Sequence, residues 1–170
     1  MVSMYEASIT PCVRVLRALS EVLKKGEAHC LTHGIDPSVM LGSRLYPDMF
    51  PLVRQVQIAA DSARRLGARL TRTVPASVPD VETSFAELQQ RVQATIDGLL
   101  AVKPEALDGT EGMAITIPIQ KDELHLKGLE YAQGFAIANL YFHAVTAYDI
   151  LRHNGVALEK QDFLGPLGTS

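Results

Sequence analysis

FAIANLYFHAVTAYDILRHNG, residues 135–155, is the most apolar helical stretch of the chain, and it decides the fold. A helix with so few polar interruptions is typically buried among other helices. We expect it to run from about Leu129 to Asn154 and to end at Gly155, which suits the left-handed C-cap position. One histidine, His143, stands in the middle of this apolar run, and its role is the main question about function.

Three further helices are predicted from capping signals and from apolar residues spaced three and four apart. Ser3 and Glu6 form a capping box at the start of the first helix, and Ser84 and Glu87 form another at the start of the third. Pro51 has the fixed φ that suits the first position of the second helix.

The strand signal lies between the third and fourth helices. AITIPI and ELHLKG alternate apolar and polar residues around the turn QKD, residues 120–122. The sequence therefore predicts a single domain over residues 1–170, of the all-α class: a four-helix bundle with one small β-hairpin between helices three and four.

The composition indicates a globular protein with a sizeable core. The chain has 170 residues, of which 47% are hydrophobic, and a formal net charge of -3. That charge does not favour binding to nucleic acid or to an anionic membrane, so we expect neither partner.

Cysteine placement and the N-terminal residues predict a cytoplasmic location. Cys12 and Cys30 fall on the predicted first helix about 27 Å apart, which is too far for a disulfide within the chain. Reduced thiols, together with the lack of a secretory signal or of an apolar stretch of about 18 residues, fit the cytoplasm.

Asn139 and His143 are four residues apart and therefore share one face of the fourth helix. Three roles are open for His143: a hydrogen bond to a side chain on a facing helix, ligation of a metal, or contact with an organic ligand. The amide oxygen of Asn139 is a weak ligand for zinc or nickel, so this pair alone does not define a metal site. Possible facing partners on the second helix are Gln55, Gln57 and Asp61.

A polar pocket is predicted between helices two and four. Gln57 and Asp61 lie on one helical face, and the Asp61 carboxylate is suited to orienting an imidazole. The Tyr148 hydroxyl is suited to a wet pocket rim, although such rings more often pack in a core. The predicted pocket therefore comprises Gln57, Asp61, Asn139, His143 and Tyr148.

Several strings of the sequence together carry a family resemblance. They are MYEASITPCVRVLRALSEVLKKGEAH, GIDPSVMLGSRLYPDMFPLVRQVQIAADSA, SFAELQQRV, ITIPI and NLYFHAVTAYDILRHNGVALEKQDFLG. With them the chain resembles an uncharacterised domain of unknown function within the DinB/YfiT-like superfamily, which is grouped with metalloenzymes. The resemblance covers nearly the whole chain and implies a DinB-like four-helix bundle that is often dimeric.

The superfamily includes thiol-cofactor-dependent transferases and isomerases whose divalent metal is held by three histidines. One histidine comes from helix two, and two come from an H-x-x-x-H motif on helix four. The helix-four pair is similar to Asn139 and His143, and the helix-two ligand falls near Gln55 or Gln57, so two of the three positions are not histidine here. If zinc or nickel binds, the resemblance implies His143, Asn139 and Gln57 as its ligands.

Three functions remain open from the sequence. The first is a cytosolic binding or accessory protein whose polar pocket holds a small molecule. The second is a metal-dependent transferase in which a low-molecular-weight thiol is the nucleophile. The third is a purely structural homodimer. A second copy of the chain and a small-molecule ligand are the expected partners, and the sequence assigns no catalytic residue.

Overall fold

The computed structural model describes residues 2–119 and 121–165, and within them the chain is mostly helical. Met1, Gln120 of the predicted turn and residues 166–170 lie outside the described residues. The elements follow in the order α1 (Met4–His33), α2 (Pro37–Gly42), α3 (Leu52–Leu70), α4 (Phe85–Leu100), a 3-10 turn (Pro104–Leu107), β1 (Ala114–Ile119), β2 (Asp122–Lys127), α5 (Gly128–Glu130), a π-helix (Tyr131–Ile137), α6 (Ala138–His153) and α7 (Lys160–Leu164).

The prediction of a mostly helical fold with a small hairpin is confirmed, with more helices than the four predicted. The four long helices are α1, α3, α4 and α6, and the hairpin stands between α4 and α6. The short helices α2, α5 and α7 are additional. Each is six residues or fewer, too short to show the apolar repeat from which the long helices were predicted.

Both predicted capping boxes are present. The Ser3 N–H donates to the Glu6 carboxylate at 2.9 Å while the Glu6 N–H donates to Ser3 Oγ at 3.2 Å. Ser84 and Glu87 repeat the arrangement at 3.0 and 3.2 Å. Pro51 is the N-cap residue of α3 rather than its first helical residue. The starts of α1, α3 and α4 were therefore predicted to within about a residue, because capping is a local property of the chain.

The core lies where the four long helices meet. Its largest aliphatic side chains are fully buried, among them Leu16, Leu23, Leu66, Leu140 and Ile150. Burying each such side chain stabilises the fold by about 1.5–3 kcal/mol before the loss of conformational entropy is counted. At Gly26 on α1, an added Cβ would lie 2.8 Å from Leu151 Cδ2 on α6, so glycine allows these two helices to approach closely.

The hairpin packs one face on the bundle. β1 and β2 are antiparallel, with Ile117 opposite Leu124. Ile115 and Ile117 are buried and alternate with exposed residues along β1, as expected for a strand with one face on a core.

The helical run after the hairpin differs from the single α-helix predicted over Leu129 to Asn154. The run starts with the three α-helical residues of α5, is π-helical over residues 131–137 and returns to α-helix at Ala138. The wider π turn shifts the residues before Ala138 around the axis relative to a continuous α-helix. It places the rings of Tyr131 and Phe135 in a stack with centroids 6.1 Å apart.

The two cysteines are buried and unpaired. Burial raises the pKa of the Cys12 thiol to about 12 and also raises the pKa of Cys30. Neither environment favours a nucleophilic thiolate at neutral pH. None of the described helices is both long enough and apolar enough to cross a membrane.

Candidate functional site

His143 lies in the seam between α3 and α6, where its side chain is hydrogen-bonded to Gln55. The histidine is 8% exposed, and its Nδ1 is 2.7 Å from Oε1 of Gln55. The Gln55 Nε2 donates to the Phe50 carbonyl oxygen at 3.0 Å. Because a carbonyl oxygen can only accept, the amide nitrogen must face Phe50 and the amide oxygen must face the imidazole. His143 therefore donates from Nδ1, and its Nε2 carries a lone pair.

The electrostatic surroundings keep this imidazole neutral. Burial is the main cause that lowers the pKa of His143, and the positive charge of Arg54 lowers it further. At neutral pH the side chain is therefore an uncharged Nδ1–H tautomer. Nε2 makes no hydrogen bond to any residue that the structure describes, so it is available as an acceptor.

The amide orientation of Asn139, one turn before His143, also follows from a second hydrogen bond made by its partner. The Ser62 hydroxyl donates to the Ile58 carbonyl oxygen at 2.8 Å, so Ser62 Oγ accepts from Asn139 Nδ2 at 2.7 Å. This fixes the amide orientation and leaves Asn139 Oδ1 without a hydrogen-bond partner in the described part of the chain. His143 Nε2 and Asn139 Oδ1, one turn apart on α6, are thus two hydrogen-bond acceptors with fixed orientation.

The five residues predicted to share a pocket are separated by the fold. Gln57 and Gln55 are two positions apart on α3, which turns their side chains about 200° from each other. Gln57 faces away from α6 and donates to Glu82 at 2.9 Å. Asp61 also lies on that side, where it pairs with Arg91 at 2.9 Å.

Tyr148 occupies a third place. Its ring packs on Phe163 of α7 with centroids 6.2 Å apart. Of the predicted pocket, the structure therefore brings together Asn139 and His143 along the α3–α6 seam and places Gln57, Asp61 and Tyr148 elsewhere. Of the helix-two partners left open by the sequence, Gln55 is the one that contacts His143.

A cleft of about 500 Å³ opens beside Asn139, and we call it the Arg69 cleft. One wall is the polar face of α3, another is the π-helix, and the third is strand β1. The lining residues include Ser62, Arg65, Arg69, Ile117, Ile119, Tyr131, Phe135 and Asn139. Its volume lies within the usual range for small-molecule pockets.

Arg69 and Tyr131 form the polar end of this cleft. The Arg69 guanidinium donates to the Tyr131 hydroxyl at 3.0 Å and lies over the same ring, 5.5 Å from its centroid. Burial raises the pKa of Tyr131 although Arg69 opposes the shift, so the hydroxyl remains protonated at neutral pH. Arg65, one turn earlier, pairs with Asp61 at 3.0 Å, whereas Arg69 pairs with no carboxylate among the described residues.

Comparison with known proteins identifies the family. Residues 4–164 match the model of the family described as Domain of unknown function (DUF1993). The chain belongs to this family. Its structure is similar to the crystal structure of a DinB family member protein from Shewanella denitrificans, with a TM-score of 0.90 and 38% sequence identity over 98% of this chain and 94% of that one. No curated protein matches the sequence.

The predicted membership of a DinB-like domain of unknown function is thus confirmed. The DUF1993 family description carries no activity. The site itself must therefore supply the argument for function.

The residues of this DUF1993 domain do not fit the three-histidine metal site that its resemblance to the superfamily implied. Gln55, Asn139 and His143 supply one imidazole and two neutral amides, and amide oxygens are weak ligands for zinc or nickel. The Gln55 oxygen is already engaged by His143, and Gln57 faces away from the seam. Among the described residues, no three His, Cys, Asp or Glu side chains are grouped so as to hold a metal ion.

Sequence reasoning missed Arg65, Arg69 and Tyr131. The two arginines follow Asp61 at intervals of four, so they read as ordinary surface charges near a helix end. Tyr131 is 62 positions from Arg69 in sequence. Its orientation depends on a π turn that leaves no periodic signal.

Proposed function

We propose that this DUF1993 protein binds a small anionic molecule in the Arg69 cleft. The supporting observation is a half-buried guanidinium that pairs with no described carboxylate. Arginine at such a position favours an anion, because its remaining N–H groups lack a charged partner among the residues that the structure describes. The Tyr131 side chain is 1% exposed, and its hydroxyl accepts from Arg69 and so holds the guanidinium at the cleft wall.

The other walls of the cleft favour a ligand with an apolar body. Ile117, Ile119 and Phe135 line one side, and Asn139 offers a free amide oxygen on the other. A carboxylate or phosphate monoester with an apolar portion and one hydroxyl or N–H donor would match this set. The role that follows is binding or accessory, and we propose the cytoplasm as its location, supported by the two unpaired buried cysteines.

A thermal-shift series tests the proposal. Hexanoate and benzoate are added at millimolar concentration, beside hexanamide and benzamide as uncharged partners of the same shape. We expect the carboxylates to raise the melting temperature of the wild type more than the amides do, because only ligands that bind the native state stabilise it. Arg69→Gln should remove this difference.

Arg152→Gln is the matched control, since it removes one exposed arginine from the end of α6, away from the cleft residues. Equal shifts from carboxylates and amides, or carboxylate shifts that survive Arg69→Gln, would reject anion binding at this cleft.

The thiol-transferase alternative is separated by metal content. Protein purified without a histidine tag or chelator is compared with His143→Ala by elemental analysis. The binding proposal expects less than a tenth of an equivalent of zinc or nickel in either protein. About one equivalent in the wild type that disappears in His143→Ala would support the transferase instead.

We also propose a homodimer formed through the outer face of α6. Phe142 is 60% exposed and Val145 is 39% exposed, and their spacing of three places them on one side of the helix. A two-fold interface would bury the same apolar patch from both copies.

Sedimentation velocity tests the dimer. We expect the wild type to be a dimer and Phe142→Glu to be a monomer. Gln133→Glu adds the same charge at another exposed position and should leave the dimer intact. A monomeric wild type would end this proposal.

A further inference from the structure

A second groove, unrelated to the Arg69 cleft, lies between α3, α4 and the extended segment 74–83, which we call the strap. Its volume is about 540 Å³. The apolar lining consists of Gly67, Val78, Val81, Ala94, Leu99 and Val102. Val81 is 71% exposed, so an apolar lip of the groove is left uncovered.

Small residues on α4 keep this groove open. Ala94 and Gly98 are one turn apart on the exposed side of α4, and both line the groove. An added Cβ at Gly98 would meet no atom within 4 Å. A larger side chain there would enter the groove and would not collide with the core.

Side-chain hydrogen bonds and ion pairs, rather than helix or strand hydrogen bonds, hold the strap against α3 and α4. Arg91, whose side chain is 4% exposed, donates to the Pro79 carbonyl oxygen at 3.0 Å and pairs with Asp80 at 2.9 Å and Glu82 at 2.8 Å. Arg64 also donates to a strap backbone carbonyl. A wall fixed before binding lowers the entropy that a ligand would otherwise lose by ordering it.

The charged groups around the groove are already engaged inside the protein. Arg64 pairs with Asp61, Arg91 pairs with Glu82, and the Glu87 carboxylate caps α4. A charged ligand would therefore bring a charge without a partner against an apolar surface. Gln90 is exposed at the rim and makes no hydrogen bond to a described residue, so its amide is free for a neutral polar group.

We propose that this α3–α4 groove binds a neutral, largely apolar small molecule that carries one polar group for the Gln90 amide. The volume is within the range of drug-sized pockets. The site shares no lining residue with the Arg69 cleft, and its ligand class is the opposite one. The proposal therefore stands or falls independently of anion binding there.

Two fluorescent probes with the same ring system test this. N-phenyl-1-naphthylamine is neutral, and 8-anilinonaphthalene-1-sulfonate is the same molecule with a sulfonate. In the Arg69→Gln protein, which lacks the guanidinium proposed to bind anions in the Arg69 cleft, we expect the neutral probe to show a saturable fluorescence rise with about one equivalent bound. We expect its Kd to be roughly tenfold lower than that of the sulfonate.

Gly98→Leu should weaken binding of the neutral probe by roughly tenfold or more, because the leucine side chain occupies part of the groove. The variant should fold, since leucine is a better helix former than glycine and the new Cβ meets no atom. Ala94→Leu gives a second test by the same route. Gly42→Leu, at an exposed α2 position where a Cβ also meets nothing, is the matched control and should bind as the wild type does.

Three outcomes would overturn the proposal: a neutral-probe signal that does not saturate, equal affinity of the Arg69→Gln protein for the two probes, or unchanged binding in folded Gly98→Leu and Ala94→Leu proteins. Circular dichroism and a melting curve for each variant establish that it is folded. Titration of Arg69→Gln with the neutral probe should be unaffected, which separates this site from the Arg69 cleft.

Discussion

The hydrogen bond between His143 and Gln55 gives a quantitative test of the α3–α6 seam. We replace each residue by leucine, alone and together, so that polar groups are removed while apolar volume is largely kept. Gln55 is 2% exposed, so His143→Leu leaves its Oε1 as a buried acceptor without a partner. Such a loss destabilises a protein by about 1–3 kcal/mol. Gln55→Leu leaves the Nδ1–H of His143 as a buried donor without a partner, and a similar loss of unfolding free energy is expected.

The double variant should lose less than the sum of the two single variants, because no orphaned polar group of the pair remains. We expect a coupling free energy of about 1–2 kcal/mol. Urea unfolding at pH 7.5 measures it, and for a chain of this size each kcal/mol corresponds to about 2–4 °C in melting temperature. His153→Leu, at an exposed position in the last turn of α6, is the control and should change stability by less than about 0.5 kcal/mol.

Additive single effects within about 0.5 kcal/mol would refute the reasoning, since they would mean that the two side chains do not depend on each other. An unchanged or increased stability of His143→Leu would refute it as well. That result would mean that the imidazole is retained for a ligand at the expense of stability.

Further predictions concern acid, the strap and one glycine. Folding lowers the pKa of His143, so the neutral imidazole contributes fully to the free energy of unfolding above the unfolded pKa of about 6.5, and this contribution is lost as the pH falls below that value. In urea unfolding, His143→Leu should therefore show a weaker dependence of the unfolding free energy on pH between about pH 7 and 5. Arg91→Met should lower the unfolding free energy by about 3 kcal/mol at pH 7. Two of its carboxylate partners, Asp61 and Glu82, have lowered pKa values, so the deficit should shrink below about pH 4, and a constant deficit down to pH 2.5 would contradict the ion-pair assignment. Gly128→Ala should lower the free energy of unfolding by at least about 3 kcal/mol, because the new Cβ would collide with the Thr110 carbonyl oxygen. Gly98→Ala, where the new Cβ meets no atom, should be neutral or stabilising by up to about 1 kcal/mol. Similar melting temperatures for the two variants would contradict this packing.

Local signals predicted the fold to a large extent. The capping boxes at Ser3 and Ser84 mark helix starts through contacts within three residues, so the sequence contains them completely. The hairpin was also predicted, because alternation in β1 and β2 reports one buried face. The family resemblance carried in the whole sequence was confirmed by the DUF1993 match.

The site could be predicted only in part, because it depends on which faces of two helices meet. The sequence placed Asn139 and His143 together, since their spacing of four is a property of one helix. It left Gln55, Gln57 and Asp61 open as partners of His143 and included Gln57 in the predicted pocket, whereas the structure places Gln57 against Glu82. The packing of α3 on α6 determines the partner, because it buries Gln55 against the imidazole of His143.

What the sequence by itself determined is therefore the four long helices, the hairpin and the place of His143 in the middle of the apolar helix. The tertiary structure alone decided three things: the tautomer of His143, the meeting of Arg69 with Tyr131, and the placement of the strap beside α4. The physical reason is the separation along the chain of the residues that interact. Caps and periodicity act within a turn or two of chain, whereas these contacts join residues far apart in sequence and exist only after the long helices have packed.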